Sequence, residues 1–203
     1  MSKNLIVLLH GVGSRGSDLQ GVAEHLQQAI PQVSVALPDG TSAFDMGPGF
    51  QWFSVSGVTE ENRPARILAA RQAFDARLAE VLRQQNINPE TDRVILMGFS
   101  QGSIMAMDAL VRGDYPLAGV VAFSGRLASP LPLQPLAGSA AMLIHGKADP
   151  VISWQESQKA AEALSAAGVQ VELSLEEHVP HTITLAGIRT ATAFIKQRLT
   201  LAG

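Results

Sequence analysis

The sequence predicts an α/β fold, doubly wound, in which a mostly or wholly parallel sheet of about six strands carries helices on both faces. Strand-length apolar runs alternate along the chain with segments of helical periodicity, which is the pattern of successive βαβ units. The run 5–9 is apolar throughout rather than alternating, as expected of a strand buried on both faces. The 203 residues are 46% hydrophobic and 16% charged, with no internal repeat or linker, which indicates one domain over residues 1–203.

Six segments are predicted to be strands and five to be helices. The strands are expected at 5–9, 33–37, 93–97, 117–123, 140–144 and 169–175. The helices are expected at 19–30, at 64–86, directly after residue 100, between 153 and 168, and at 183–199. Ser17 and Ser153 each stand three residues before a Gln or Glu, so both are predicted to cap the helices that follow them.

The segment 38–62 is predicted to be a long loop, because it is rich in glycine and lacks strand or helix periodicity. It leaves a strand at the carboxyl edge of the sheet, where sites of doubly wound folds form, so we expect it beside the active site. Its large apolar residues are Phe44, Met46, Phe50, Trp52 and Phe53. These side chains either form an apolar wall for a bound substrate or anchor the loop to the core. Anchoring is favoured for Trp52 and Phe53, because buried aromatic residues are usually structural.

The run 93–106 joins an apolar strand to an apolar helix through Gly98-Phe99-Ser100-Gln101-Gly102. In this context, Gly-x-Ser-x-Gly is typical of a sharp strand-to-helix turn that exposes a nucleophilic serine. The serine needs a strained backbone at the apex of the turn, and the residues two before and two after it are pressed against neighbouring elements. The motif therefore predicts Ser100 as a nucleophile, the alternative being a glycine-rich turn with an incidental serine.

A serine hydroxyl needs a histidine as general base and an acid that orients the histidine. Asp149 and His181 each follow a late predicted strand, so both are expected at the edge of the sheet where Ser100 lies. The chain order Ser100, Asp149, His181 is that of an α/β-hydrolase triad. His178 is a weaker candidate for the base, since its acidic neighbours suit a solvated loop. A metal site on His178 and His181 is disfavoured because no third ligand cluster is nearby.

The first loop, 10–16, fits two functions. Its run Gly11-Val12-Gly13-Ser14-Arg15-Gly16 matches a dinucleotide-binding fingerprint, and Asp39 lies near the place of a ribose-binding acid. A serine hydrolase also needs such a loop, because one of its amides forms the oxyanion hole with the amide after the nucleophile. The hydrolase is favoured, since a dinucleotide-dependent oxidoreductase would leave the serine motif and its two partners unexplained. His10 and His145, each followed by glycine, are interpreted as supports of tight loops.

The composition excludes several classes of function. A net charge of −3 without a basic run gives no reason to expect nucleic acid or an anionic membrane as a partner. The absence of cysteine excludes disulfides, thiolate metal sites and a cysteine nucleophile. The apolar run 5–9 is too short for a secretory signal and no run has the length of a membrane span, so a cytoplasmic protein is expected. No metal ion or organic cofactor is expected.

The chain resembles the phospholipase/carboxylesterase family of α/β-hydrolases, which includes acyl-protein thioesterases. The matching segments, in order over nearly the whole chain, are 8–13, 51–54, 98–102, 145–150 and 180–181. The run 51–63 is most similar to a bacterial esterase branch of that family. Pro180 stands where the family usually has glycine. The chain begins at what resembles the family's third strand, which predicts a sheet of six strands that is wholly parallel.

The resemblance implies a serine carboxylesterase with Ser100 as nucleophile, His181 as base and Asp149 as its partner. It also implies an oxyanion hole formed by the main-chain amides of Val12 and Gln101, so the backbone of Gln101 is expected to matter more than its side chain. An acyl-protein thioesterase or a lysophospholipase would use the same triad, and both stay open as alternatives. A catalytically silent binding module is disfavoured because the catalytic set is complete.

Overall fold

Six parallel strands form the central sheet in the computed structural model of the chain, which describes residues 2–200. These strands are β1 (Asn4–Leu9), β2 (Val33–Ala36), β5 (Arg93–Phe99), β6 (Gly119–Phe123), β7 (Ala140–Gly146) and β8 (Gln170–Glu176). Two further strands, β3 (Ser42–Ala43) and β4 (Phe50–Gln51), form a separate antiparallel pair. All six predicted strands of the main sheet are therefore present.

Over the described residues 2–200, five α-helices connect or follow the strands, as predicted. They are α1 (Gln20–Ala29), α2 (Arg63–Gln84), α3 (Gln101–Arg112), α4 (Trp154–Ala166) and α5 (Leu185–Thr200), and a short 3-10 helix at Gly16–Leu19 precedes α1. Within residues 2–200, no helix combines the length and the apolar character that crossing a membrane requires.

The order of the strands in the sheet is β2-β1-β5-β6-β7-β8, and every neighbouring pair is parallel. The direction in which strands are added reverses between β1 and β5. β2 lies on one side of β1, and the strands from β5 onward lie on the other side. Such a switch point leaves a crevice at the carboxyl ends of the two strands. The loop 10–16 follows β1 and Ser100 follows β5, so both lie at this crevice.

Alternate side chains of the sheet pack against different helices. In β1, for example, Ile6 and Leu8 belong to a core shared with α1 and α5, while Leu5, Val7 and Leu9 belong to a core shared with α2, α3 and α4. This division follows from the two-residue repeat of a strand, which sends successive side chains to opposite faces. The continuous apolar runs in the sequence thus correspond to strands covered on both sides, as predicted.

The two predicted helix caps have different outcomes. Ser153 caps α4, because its Oγ accepts the backbone N–H of Gln155 at 3.3 Å. The prediction for Ser17 is wrong, since Ser17 lies inside the 3-10 helix that precedes α1. The carboxylate of Asp18 instead accepts the backbone N–H of Arg15 at 3.2 Å and caps that turn. A capping-box pattern does not distinguish the start of a 3-10 turn from that of an α-helix.

The segment 38–62 is less irregular than predicted. Its β3 and β4 pair Ser42 with Gln51 and Ala43 with Phe50. The backbone N–H of Phe50 also donates to the carbonyl of Ser14 at 2.8 Å, which attaches the segment to the first loop. Strands of two residues contain no periodic pattern, and for that reason the sequence did not reveal them.

Candidate active site

Ser100 lies at a strained turn between β5 and α3. Its backbone has φ 54° and ψ −117°, a region that residues with a side chain rarely adopt. Its N–H donates to the carbonyl of Phe123 on the next strand at 2.9 Å. A Cβ at Gly102 would lie 2.0 Å from the carbonyl oxygen of Leu9, and one at Gly98 would lie 2.4 Å from the backbone of Gly102. These approaches confirm the steric reason for the two glycines of the motif.

The structure brings the three predicted triad residues into line. The Ser100 Oγ lies 3.1 Å from Nε2 of His181, and Nδ1 of the same ring lies 2.7 Å from Oδ2 of Asp149. The Asp149 side chain has no exposed surface, whereas 17% of the His181 side chain and 8% of Ser100 are exposed. Solvent or a small substrate can therefore reach the serine and histidine, while the acid lies behind them.

Asp149 is held by its own loop as an ionised acceptor. Its Oδ1 accepts the backbone N–H groups of Val151 and Ile152 at 2.8 and 2.9 Å. Burial raises the pKa of the Asp149 carboxyl, but the hydrogen bonds from His181 and the two amides outweigh burial and leave the pKa below its usual range. An ionised carboxylate next to Nδ1 keeps the hydrogen on that nitrogen and leaves Nε2 free to accept a proton.

His181 is positioned by a ring contact and by a close approach of two loops. The Phe99 ring packs against the imidazole, with centroids 4.7 Å apart and an angle of 41°. The loop before His181 is attached to the end of β7, because the N–H of Ala148 donates to the carbonyl of Val179 at 2.9 Å. Only glycine fits at Gly146, where a Cβ would lie 2.1 Å from the Val179 oxygen.

The choice between the two neighbouring histidines is clear in the structure. His178 is exposed and has φ 60°, whereas His181 contacts both Ser100 and Asp149. Among residues 2–200, no group of three or more His, Cys, Asp or Glu is arranged to hold a metal ion. His178 therefore has the solvated position expected for it.

The two backbone amides predicted to form an oxyanion hole, those of Val12 and Gln101, have no backbone partner in the described part of the chain. Gln101 is the first residue of α3, so its N–H has no partner within the helix, and the helix N-terminus favours negative charge. In the first loop, the N–H of Gly13 is occupied by the carbonyl of Phe50 at 2.8 Å. The N–H of Val12 is bonded to no acceptor in the described part of the chain. This contrast favours Val12 over Gly13 as the donor from this loop.

The dinucleotide fingerprint in the first loop is explained by the fold. The Asp39 carboxylate accepts the backbone N–H of Gly16 at 2.9 Å. A Cβ at Gly16 would lie 1.9 Å from the carbonyl oxygen of Leu37, so the loop packs directly against the end of the second strand. A dinucleotide site would need the acid for a ribose and the amides for a pyrophosphate. Here an amide and the acid satisfy each other instead.

His10 supports the loops as predicted. Its Nε2 accepts the N–H of Gly40 at 2.8 Å, and its Nδ1 lies 2.7 Å from the carbonyl oxygen of Gly11. Burial is the main cause of a pKa for His10 below its usual value. A neutral imidazole therefore joins the first loop to the segment 38–62.

His145 supports a loop too, but it has a contact that the sequence did not predict. Its Nδ1 lies 2.6 Å from Oγ of Ser157 on α4, and its Nε2 lies 2.8 Å from the carbonyl oxygen of Ile152. The same Nε2 lies 3.2 Å from Oδ2 of Asp149, the oxygen that His181 contacts. His145 is completely buried, and burial is the main reason that its pKa lies below its usual value.

Of the three aromatic residues considered for substrate contact, two are anchors. Trp52 and Phe53 are only 3% and 7% exposed. The indole N–H of Trp52 donates to the carbonyl of His10 at 2.9 Å, and its ring packs edge-on against Phe74. Phe50 is only partly buried, and its backbone pairs with the first loop. Anchoring is confirmed for Trp52 and Phe53, and Phe50 is the member of the set with surface available to a ligand.

The side chain of Gln101 fastens the same segment to the serine turn. Its Oε1 accepts the N–H of Trp52 and its Nε2 donates to the carbonyl of Phe53, both at 2.7 Å. The side chain is 3% exposed. The expectation that the backbone of Gln101 matters more than its side chain overlooked this clamp. The available signal was a long amide side chain at the start of a mostly apolar helix.

We expect Gln101→Leu to lower the free energy of unfolding by about 2–4 kcal/mol, because two buried backbone groups lose their partners. We also expect a higher KM for esters, since the segment 38–62 would no longer be fixed beside Ser100. Urea unfolding and ester kinetics measure the two effects. Gln28→Leu on the exposed side of α1 is the matched control, with an expected change within about 0.5 kcal/mol. Equal decreases in the free energy of unfolding of Gln101→Leu and Gln28→Leu would show that the Gln101 clamp contributes nothing to stability.

Comparison with known proteins places this geometry among ester hydrolases. A family model described as phospholipase/carboxylesterase matches residues 1–199. Esterase YpfH of Escherichia coli K12 is 34% identical over 182 residues, which cover 90% of this chain and 77% of that protein. Acyl-protein thioesterase 1 of Neurospora crassa is 22% identical over 211 residues, covering 96% of this chain and 86% of that protein.

Solved structures have the same architecture. The crystal structure of esterase PE8 superposes with a TM-score of 0.87 at 32% identity, over 97% of this chain and 93% of that chain. A carboxylesterase of Bacillus cereus superposes with a TM-score of 0.80 at 22% identity, over 97% of this chain and 89% of that chain. At the lower identity, the likeness bears on the fold alone.

Proposed function

Since the chain belongs to the phospholipase/carboxylesterase family and is a carboxylic ester hydrolase, we propose that Ser100, His181 and Asp149 are its catalytic triad. The observation that carries this proposal is the continuous line of contacts, 3.1 Å from Ser100 to His181 and 2.7 Å from His181 to Asp149. These are hydrogen-bond distances between a nucleophile, a base and its orienting acid.

The first half of the reaction forms an acyl-enzyme. Nε2 of His181 takes the Ser100 hydroxyl proton while Oγ attacks the carbonyl carbon of the ester, and the carbonyl π electrons move to oxygen. When this tetrahedral intermediate collapses, the bond to the leaving oxygen breaks and His181 returns the proton to the departing alcohol. Asp149 stabilises the imidazolium in between, and it keeps its own negative charge throughout.

The second half repeats these steps with water. His181 removes a proton from a water molecule that attacks the acyl carbon, and the second tetrahedral intermediate expels Ser100, whose Oγ recovers the proton from His181. The amides of Val12 and Gln101 stabilise the oxyanion in both halves. Each such donor contributes about 3 kcal/mol to the transition state in serine hydrolases of known energetics. The N-terminus of α3 adds a favourable field at the same place.

The partly exposed Phe50 is proposed as the apolar wall for the acyl group. Its carbonyl bonds to Gly13, beside the proposed oxyanion donor Val12, and it therefore lies close to the place where the acyl carbon would sit. We expect Phe50→Ala to lower kcat/KM for long-chain p-nitrophenyl esters by about 10-fold and to leave the acetate ester nearly unchanged, because each buried methylene contributes to binding. A series from acetate to dodecanoate measures this effect.

Leu131→Ala is the control for Phe50→Ala, since Leu131 is 82% exposed and lies outside the segment 38–62. An identical chain-length profile in wild type and Phe50→Ala would contradict the wall. Because Trp52 and Phe53 are buried anchors, their variants would mix loss of stability with loss of binding.

An acyl-protein thioesterase is the second candidate, favoured by the relation to acyl-protein thioesterase 1 of Neurospora crassa. The two candidates share every proposed catalytic residue and differ in the substrate. The experiment is a competition between p-nitrophenyl esters and an S-acylated peptide that has the same acyl chain. A higher kcat/KM for the peptide would favour a protein substrate, and a lower one would favour small esters.

We propose a cytoplasmic location and no role in nucleic-acid binding, in line with the expectation from composition and a net charge of −3. Cell fractionation tests the location, and a shift assay with DNA and RNA at low salt tests the binding.

A further inference from the structure

The carboxylate oxygen of Asp149 that faces His181 has a second imidazole beside it. Oδ2 lies 2.7 Å from Nδ1 of His181 and 3.2 Å from Nε2 of His145. His145 comes from β7, the strand next to the edge strand β8, and has no exposed surface, whereas His181 comes from the loop after β8 and is partly exposed. One oxygen is thus flanked by a catalytic imidazole and by a rigid, buried one.

The partners of His145 determine where its hydrogen lies. Nε2 faces the carbonyl oxygen of Ile152 and the Asp149 carboxylate, and both of these only accept. Nε2 therefore carries the hydrogen and donates to Ile152, while Nδ1 accepts from the hydroxyl of Ser157. Burial keeps the ring neutral by lowering its pKa. A neutral N–H next to Oδ2 favours the ionised acid without cancelling its charge.

The same ring closes the turn that holds Asp149. The N–H of Ile152 donates to Oδ1 of Asp149 at 2.9 Å, and the carbonyl of Ile152 accepts from His145 at 2.8 Å. His145 therefore contacts the acid directly and also holds the residue that fixes the other carboxylate oxygen. Because β7 is hydrogen-bonded to a strand on each side, this contact ties Asp149 to the central sheet.

We propose that His145 is a positioning residue for catalysis, which holds the Asp149 carboxylate in the orientation and charge state that His181 requires. This proposal rests on the proposed triad. A positioning residue acts through its target, so its effect on the rate disappears when the target is removed. If His145 were only structural, its substitution would instead lower the activity by the same factor whether or not Asp149 is present.

The experiment is a double-mutant cycle with His145→Leu and Asp149→Ala, measured as kcat and KM for p-nitrophenyl acetate. We expect His145→Leu alone to lower kcat by about 10- to 100-fold, with KM nearly unchanged. This is the range found when residues that hydrogen-bond the ligands of metal sites are replaced. In the Asp149→Ala background, the same substitution should change kcat by less than about twofold. Equal factors in both backgrounds, or no effect of His145→Leu, would overturn the proposal.

The variants His145→Gln and His145→Asn test which ring nitrogen of His145 is needed, and both keep a polar side chain at this position. His145→Gln can place an N–H donor near the position of Nε2, whereas His145→Asn can place one only near Nδ1. We expect the glutamine variant to recover most of the kcat and the asparagine variant to resemble His145→Leu. Equal rates in the two amide variants would overturn the role of Nε2, and the comparison stands even if the leucine variant does not fold.

Leu164→Ala separates rate from stability, because Leu164 is buried on α4, the helix that also contains Ser157. It should lower the thermal midpoint and leave kcat close to that of wild type, and a kcat loss equal to that of His145→Leu would count against the proposal.

Fluorophosphonate labelling distinguishes failure of the positioning role of His145 from failure of the proposed triad. A His145→Leu enzyme that has the wild-type kcat and is still labelled at Ser100 would overturn the positioning role alone, whereas an unlabelled Ser100 in the wild type would overturn the triad.

Discussion

Ser100→Ala is expected to lower kcat for p-nitrophenyl esters by about 10⁵- to 10⁶-fold. The alanine removes the only atom that forms the acyl bond, and His181 then has no hydroxyl to deprotonate. The residual rate above that of water would come from the amides of Val12 and Gln101, which act on the substrate without the serine. Steady-state kinetics with an activated ester, together with fluorophosphonate labelling, measure the loss.

The fold should survive this change. Alanine differs from Ser100 by one oxygen atom, and the strained φ of 54° is tolerated because the turn is held by the contacts of Gly98 and Gly102. We expect the far-UV circular dichroism to equal that of wild type. Ser103→Ala is the matched control, since its Oγ donates to the backbone carbonyl of Ser100 rather than to His181. Near-normal esterase activity of Ser100→Ala would show that the nucleophile lies elsewhere.

The parts of the site that the sequence predicted are those that local sterics and chain topology determine. Gly98 and Gly102 are required because the turn brings their α-carbons against the backbone, and this holds wherever a strand meets a helix through a serine. Asp149 and His181 could be chosen because parallel strands end at one edge, and the residues after β7 and β8 must therefore lie beside Ser100. The succession of strands and helices along the chain was predicted from the alternation of apolar runs and helical periodicity.

The missed features depend on contacts between residues far apart in the chain. The clamp of Gln101 on Trp52 joins positions 49 residues apart, and the bond of Asp39 to Gly16 spans 23. Nothing in the neighbouring sequence of either residue specifies the partner. The Asp39 example also explains why the first loop resembled a nucleotide site. Both a nucleotide cradle and an oxyanion loop need a glycine-rich turn with backbone amides that face an anion, and only the three-dimensional pairing of Asp39 with Gly16 separates them.

Asp149→Asn is expected to lower kcat by about 10⁴-fold, although the side chain keeps its size. The reason lies in the contacts of the two carboxylate oxygens. Oδ1 accepts the N–H groups of Val151 and Ile152, so the oxygen of an asparagine must take this place. The NH₂ group then occupies the position of Oδ2, 2.7 Å from Nδ1 of His181.

An NH₂ group in that position forces the wrong tautomer on His181. Nδ1 must become the acceptor, the hydrogen moves to Nε2, and this hydrogen then points at the Ser100 hydroxyl that Nε2 should deprotonate. The variant should bind substrate with an unchanged KM and lose kcat, because the geometry is kept and only the proton is misplaced. Steady-state kinetics test this result, with Asp75→Asn as a control that changes the net charge equally on α2, where Asp75 pairs with Arg112.

The same argument makes Asp149→Asn more informative than Asp149→Ala. An alanine leaves the His181 ring free to turn and choose either tautomer, so part of the activity can return, whereas the asparagine actively holds the unproductive one. The asparagine also turns an N–H toward Nε2 of His145, which carries a hydrogen itself, so the two donors repel across 3.2 Å. If Asp149→Asn kept more than about one tenth of the wild-type kcat, Asp149 would not be the acid that fixes the His181 tautomer. A loss in Asp149→Asn greater than in Asp149→Ala would identify tautomer control, rather than charge alone, as the main contribution of this carboxylate.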